Sequence, residues 1–127
     1  MQSRVFHTWH VKRIKPQELF DAPLDQEQYT EQLWIYEGFT SYYDDFSLLR
    51  CSVISQQEYL KVVGQNLTRL IRNKGRFKQT ITESSFDAWT KFYKQDESAV
   101  NNIVSYYNKV AVLAMCLDLL FKYKNTR

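Results

Sequence analysis

The chain has 127 residues, a formal net charge of +3, 44% hydrophobic residues and 16% aromatic residues. This length allows one domain, and the apolar content is enough for a core, which disfavours intrinsic disorder. The small net charge indicates no particular polyanionic partner, and three glycines and two prolines are too few for a sandwich or barrel with many tight turns.

The two cysteines, Cys51 and Cys116, are far apart in the sequence. They form no C-x-x-C pair, so buried thiols are expected instead of a disulfide framework. The sequence contains neither a run of about 18 apolar residues nor the apolar region of a signal peptide. We therefore expect no membrane partner and a cytoplasmic location.

The first half of the chain predicts one short and one long helix. Residues 5–12 are expected to end a helix, and residues 16–25 to form a loop that starts at Pro16. Asp25 with Gln28 resembles a helix start, and the helix is expected to continue to about residue 50. Its apolar positions recur at helical spacing in two stripes, which predicts burial on more than one side.

The second half predicts three more helices. Ser55 and Glu58 form a capping box before a helix over residues 56–74, with Gly75 as its left-handed stop. Ser84 or Ser85 is expected to cap a short aromatic helix. The last helix is expected to start at residues 99–102 and to run to about 123. Its segment 110–121, VAVLAMCLDLLF, is apolar nearly all round, which predicts a central buried helix. The expected fold is all-α, with four or five helices and no sheet.

Three places in the sequence carry candidate chemistry, and each has an ordinary structural alternative. A lone histidine such as His7 is more often structural or exposed than a metal ligand. Glu37 falls inside the long apolar helix, where a carboxylate needs a partner. That partner is either a hydrogen-bond or salt-bridge group or a metal ion. The two tyrosines of SYYNK, Tyr106 and Tyr107, are either core residues with hydroxyls at the rim or phenols that donate to a developing oxyanion.

Four segments together resemble one family. They are FHTWHVKRIKP, LWIYEGFTSYYDDFSLLR, GRFKQTITESSFDAWTKFY and NNIVSYYNK. Segment by segment and in the same order, they are similar to the glycyl aminopeptidases, zinc metallopeptidases of the gluzincin clan that often carry a C-terminal PDZ domain. The resemblance implies a single helical subdomain over residues 1–127, like the C-terminal helical subdomain of thermolysin-like peptidases. It also implies that the β-rich N-terminal half of the catalytic domain and the PDZ domain are absent.

The resemblance assigns roles to individual residues. His7 matches the second zinc-binding histidine of an H-E-x-x-H motif, and Glu37 matches the third zinc ligand on the following helix. Tyr107 matches a tyrosine that stabilises the tetrahedral intermediate. His10 lies three residues after His7 and is a candidate for adventitious metal binding beside Glu37, because positions three apart on a helix point in similar directions.

Two departures from the family pattern fall at Ser3 and Arg4. They occupy the positions of the first zinc-binding histidine and the general-base glutamate. A serine is a poor zinc ligand, and an arginine cannot accept a proton from water. The resemblance thus implies a fragment of a zinc aminopeptidase for N-terminal glycine or small residues, with zinc absent or weakly bound and no activity of its own.

The alternative function is a non-catalytic helical interaction domain. The expected partners are a peptide substrate in the intact family protein and, for this chain, a second copy that covers an exposed apolar face. Basic residues cluster at 12–15 and 69–78. Solvated basic faces are common and no nucleic-acid module is visible, so no nucleic-acid partner is expected.

Overall fold

A computed structural model describes residues 6–23, 25–92 and 105–125 of the chain, without the side chain of Phe92. These ranges contain four α-helices: α1 (Leu33–Arg50), α2 (Gln56–Arg72), α3 (Ile81–Phe86) and α4 (Tyr106–Asn125). A 3-10 turn, Gln17–Leu19, precedes α1. A second 3-10 turn, Lys74–Phe77, lies between α2 and α3, and a π-helical turn, Ala88–Phe92, follows α3. The described ranges contain no β-strand, only an isolated bridge between His10 and Ile14. The predicted all-α fold of four or five helices is confirmed.

The core lies where α1 crosses α4. Gly38 of α1 is buried, and a Cβ at this position would lie 2.3 Å from the Cβ of Val110 and 3.3 Å from the carbonyl oxygen of Tyr106. The two helix backbones therefore approach more closely than any side chain at residue 38 would allow. Tyr42 and Ala111 continue the contact away from this crossing point. The fold thus depends on a glycine in the middle of a helix.

The start of α1 was predicted wrongly at Asp25. Residues 25–32 form turns and extended chain, and the helix begins at Leu33 without a side-chain cap from Gln32. The backbone N–H of Trp34 instead donates to Ser85 Oγ of α3, at 3.0 Å. The first turn of α1 is therefore completed by tertiary structure, which a local capping pattern does not reveal.

The end of α1 lacks the glycine that commonly stops a helix. Ser52 takes the left-handed conformation, with φ 56°, and its N–H donates to the carbonyl of Leu49 at 3.0 Å. The N–H of Val53 donates to the carbonyl of Leu48 at 2.9 Å. This pair of hydrogen bonds is a Schellman motif, formed here around a serine.

The boundaries of α2 were predicted correctly at one end only. The Ser55–Glu58 capping box is confirmed, with both reciprocal hydrogen bonds present. The helix ends at Arg72, and the predicted left-handed stop at Gly75 is wrong because none of the described glycines has a positive φ. Gly75 is buried inside the 3-10 turn that follows.

The cap of α3 was also assigned to the wrong residues. Thr80 accepts from the N–H of Glu83, and the Glu83 side chain accepts from the N–H of Thr80. Ser84 and Ser85, the predicted caps, lie inside the helix and are buried. The Ser85 hydroxyl donates to the carbonyl of Ile81 at 2.8 Å, which leaves its oxygen lone pairs for α1.

Helix α4 is only partly buried, contrary to the prediction. Its buried residues are Tyr106, Val110, Ala111 and Ala114. Leu113, Leu119, Leu120, Phe121 and Tyr123 are between 39% and 62% exposed. Residue 105 precedes the helix, and the predicted start at 99–102 lies outside the described residues. No helix in the described part of the chain combines the length and hydrophobicity needed to cross a bilayer.

Both cysteines are exposed free thiols, so their predicted burial is wrong. Cys51 is the residue that ends α1. Cys116 lies on the exposed side of α4, among the apolar residues that remain open to solvent. Their burial had been expected because free cysteines are usually packed like small apolar residues.

A buried hydrogen bond joins α1 to the second half of α4. The Tyr42 hydroxyl donates to Asp118 Oδ2 at 2.7 Å, and Lys122 Nζ contacts the same oxygen at 2.5 Å. The hydrogen bond from Lys122, with a further contribution from Tyr42, lowers the pKa of Asp118. Burial, together with the hydrogen bond to Asp118, raises the pKa of Tyr42 well above its ordinary value.

Replacement of Gly38 by alanine is expected to destabilise the fold. The added Cβ clashes with Val110, so the free energy of unfolding should fall by roughly 1–3 kcal/mol. Gly64 of α2 is the matched control, because a Cβ there meets nothing within 4 Å and Gly64→Ala should stabilise by roughly 0.5–1 kcal/mol. Urea denaturation of both variants measures the difference, and equal effects of the two substitutions would contradict the close approach at Gly38.

The hydrogen bond between Tyr42 and Asp118 predicts a pH-dependent stability. Because the pKa of Tyr42 is higher in the folded chain, its contribution is complete below the unfolded pKa of about 10 and is lost as the pH rises above it. Tyr42→Phe should lower the free energy of unfolding by roughly 1–3 kcal/mol at neutral pH. That difference should shrink as the pH rises from about 10 to 12. A constant difference in denaturation experiments across this range would contradict the prediction.

Candidate functional site

His7 and Glu37 lie side by side at one end of the α1–α4 core. His7 closes a short helical segment that begins the described chain, and Glu37 lies in the second turn of α1. The distance between His7 Nε2 and Glu37 Oε2 is 3.2 Å, and the two side chains are 22% and 19% exposed. The structure thus brings together two residues that are thirty positions apart in the sequence.

The other ring nitrogen of His7 faces a backbone carbonyl. His7 Nδ1 lies 3.2 Å from the carbonyl oxygen of His10. A carbonyl only accepts hydrogen bonds, so Nδ1 carries the proton that joins them. The lone pair or second proton at Nε2 is then directed at Glu37. Histidines that bind metal commonly have this arrangement, with the distal nitrogen held by a carbonyl or carboxylate.

The pair fits a zinc ion in the kind of donor but not in the number of donors. An imidazole nitrogen and a carboxylate oxygen are ordinary zinc ligands, and a catalytic zinc site has three protein ligands. The described ranges contain no group of three or more His, Cys, Asp or Glu residues that could hold a metal ion. Ser3 and Arg4, which the resemblance places at the first histidine and the glutamate of an H-E-x-x-H motif, lie outside the described residues. The metal-binding roles of His7 and Glu37 stay predictions.

His10 points away from the His7–Glu37 pair. Its Nδ1 lies 3.1 Å from Thr40 Oγ1, and its ring packs against Tyr36 at 5.1 Å and Phe6 at 5.5 Å between centroids. Burial lowers the pKa of His10, and the nearby His7 lowers it further. The expected helix over residues 5–12 is wrong beyond His7, because turns follow it, so the two histidines do not share a helix face. The role of His10 as an adventitious ligand stays untested.

Asp44 is a residue near the site that the sequence reasoning missed. It follows Glu37 by seven positions, which is two turns along the same helix face. Burial raises the pKa of Asp44, and Asp45 and Glu37 contribute to the rise, while His7 opposes it. The seven-residue spacing between Glu37 and Asp44 in the sequence could have revealed it. Asp44 therefore adds negative charge beside the His7–Glu37 pair.

Tyr107 lines a cleft that reaches α1 at Ser41 and Asp44, which are one and two helical turns beyond Glu37. The cleft has a volume of about 570 Å³, and its polar lining includes Ser41, Asp44 and Tyr107. The Ser41 hydroxyl donates to the carbonyl of Glu37 at 2.8 Å, so the cleft starts one helical turn from the His7–Glu37 pair. The Tyr107 ring stacks on Tyr106 with 4.5 Å between centroids. Its role toward an oxyanion stays a prediction.

Comparison with known proteins places the chain among peptidases. The family model of the M61 glycyl aminopeptidases matches residues 4–113. The crystal structure of an aminopeptidase N family protein from Idiomarina loihiensis is similar, with a TM-score of 0.92 and 46% sequence identity. The similarity covers 99% of this chain but 22% of that chain. Among proteins with curated descriptions, none matches.

The family match includes His7, Glu37 and Tyr107 and extends over most of the 127 residues. The all-α fold agrees with it, because the solved structure shares that fold along nearly the whole chain. The chain therefore belongs to the M61 glycyl aminopeptidase family.

Proposed function

We propose that this chain is the helical part of a zinc aminopeptidase active site, with His7 and Glu37 as two metal ligands. The observation that supports the proposal is the 3.2 Å distance between His7 Nε2 and Glu37 Oε2. The cleft that starts one turn from Glu37 and contains Tyr107 is where a peptide would lie. By family membership, the preferred substrate of the complete enzyme has an N-terminal glycine or another small residue.

The proposed chemistry assigns a separate task to each residue. A bound zinc ion supplies Lewis-acid polarisation of the scissile carbonyl and of water. His7 and Glu37 hold their donor atoms toward one point, and the His10 carbonyl fixes the ring of His7. Tyr107 is proposed to donate a hydrogen bond to the carbonyl oxygen of the substrate. The resemblance places Arg4 at the position of the general base, and an arginine cannot accept a proton from water.

The metal-binding proposal predicts that zinc binding depends on Glu37. Calorimetric titration of the full chain with zinc should show weak binding that is lost in Glu37→Ala and in His7→Ala. Glu31→Ala is the matched control, because Glu31 is an exposed carboxylate just before α1 and its loss should leave the heats unchanged. Identical heats for the wild type and Glu37→Ala would rule out this metal site.

The missing base and ligand predict that the chain does not hydrolyse peptides. Purified protein with added zinc should release no product from a glycyl-arylamide substrate. The double substitution Ser3→His and Arg4→Glu restores an H-E-x-x-H motif, and the third ligand should tighten zinc binding by roughly tenfold or more, at least 1.4 kcal/mol. Chelator-sensitive hydrolysis by the unaltered chain would contradict the proposal.

A second candidate function is that of a non-catalytic helical interaction domain. The supporting observation is the exposed apolar surface of α4, where Leu120 is 47% and Phe121 is 62% exposed. Sedimentation analysis should show concentration-dependent association that Leu120→Lys weakens. Leu60→Lys is the control, because Leu60 is a similarly exposed leucine on α2, 57% exposed. A monomer at all concentrations would contradict association through α4.

A further inference from the structure

The peptide unit between His10 and Val11 is held on both of its sides. Its carbonyl oxygen lies 3.2 Å from His7 Nδ1, and its N–H donates to the carbonyl of Ile14 at 2.9 Å. The chain therefore folds back on itself over residues 7–14. Both polar groups of a single peptide unit are satisfied within this short turn, which fixes the direction of the carbonyl toward His7.

The conformation of Val11 shows that this peptide orientation is imposed on the chain. Val11 has φ 125°, which a β-branched residue adopts only under strain. The φ angle of Val11 is one of the two angles that orient the His10–Val11 peptide unit. Strained backbone of this kind persists where the surrounding structure requires it, and it clusters at functional sites. Here the strain directs the His10 carbonyl at His7 Nδ1.

Contacts of the His10 side chain hold this strained turn in place. Thr40 is 1% exposed, and its hydroxyl donates to the carbonyl of Tyr36. Because this proton is used, the Thr40 oxygen can only accept in its contact with His10, so His10 Nδ1 carries a proton and donates to it at 3.1 Å. The His10 ring also has a hydrogen bond to the backbone of Tyr36. The His10 ring is packed between Phe6 and Tyr36. These contacts anchor residue 10 to the same helix that carries Glu37.

From these contacts we propose that His10 is a positioning residue for His7. The imidazole of His10 is anchored by Thr40, and its main-chain carbonyl holds the Nδ1 proton of His7 so that Nε2 is presented to the point faced by Glu37. His10 acts through its carbonyl and not as a ligand. The effect of His10 on metal binding rests on the proposed function of His7 and Glu37. Its effect on the orientation of the His7 ring does not depend on that function.

The positioning of His7 can be measured without any metal. The chain has two histidines, so nitrogen NMR of the labelled full chain, at a pH where both rings are neutral, resolves each tautomer. The measurement uses Glu37→Ala, in which the Glu37 carboxylate no longer competes for the Nε2 proton. We expect His7 in the Nδ1–H form. A His7 ring in the Nε2–H form, which neutral histidine prefers in water, would overturn the proposal.

The anchor is tested by substitutions at Thr40 in the same background. Thr40→Val removes the side-chain acceptor for His10, and His7 should shift toward the Nε2–H form, whereas Thr40→Ser should restore the Nδ1–H form. Thr68→Val is the matched control, because Thr68 makes the same hydrogen bond to its own helix, to the carbonyl of Gly64 at 2.8 Å. An unchanged His7 tautomer in a folded Thr40→Val variant would also overturn the proposal.

Zinc affinity separates this proposal from the proposed function. With Glu37 intact, Thr40→Val should weaken zinc binding by roughly 10–100-fold, as substitutions of residues that support metal ligands commonly do. Thr40→Ser should leave zinc binding unchanged. If the chain binds no zinc but His7 has the Nδ1–H form, the metal-binding function fails and the positioning role of His10 stands. If zinc binds and His7 lacks that form, the positioning role fails alone.

Discussion

The close approach of α1 and α4 at Gly38 is the constraint on which the arrangement of the site depends. Residue 38 has room for a hydrogen atom only, since a Cβ would lie 2.3 Å from Val110. Glu37 precedes this glycine on α1, and Tyr107 is three residues before Val110 on α4. The crossing point therefore sets how far Glu37 lies from α4 and how far Tyr107 lies from α1. A wider crossing would leave a gap in the core.

The N-terminal segment reaches the site through aromatic contacts. Phe6 stacks on Tyr43 of α1 with 5.7 Å between ring centroids, and Trp9 packs edge-on against Phe6 at 6.2 Å. Stacked rings bury a large apolar area with few rotatable bonds. These contacts place His7 over α1 even though the segment is helical only at its start. The position of the histidine is therefore supported by its neighbours more than by regular secondary structure.

The sequence predicted those features whose causes are local. The Ser55–Glu58 capping box needs only residues three positions apart, and it was found. The start of α1 was missed because its cap comes from Ser85. The end of α1 was predicted at about residue 50 and lies at Arg50, although Ser52 stands where glycine is usual in the stop. The exposure of α4 was missed because an apolar sequence does not show whether a covering surface is present. For the site, His7 and Glu37 came from family resemblance, and their contact is a long-range fact that residue spacing could not supply.

The hydrogen bond from the Trp34 N–H to Ser85 Oγ joins residues 51 positions apart. It makes the first turn of α1 conditional on the docking of α3, because no cap on α1 itself replaces it. A peptide that contains α1 alone would fray at Leu33 and Trp34, next to the turn that carries Glu37. Undocking of α3 would thus disturb the backbone of the turn that carries the Glu37 carboxylate.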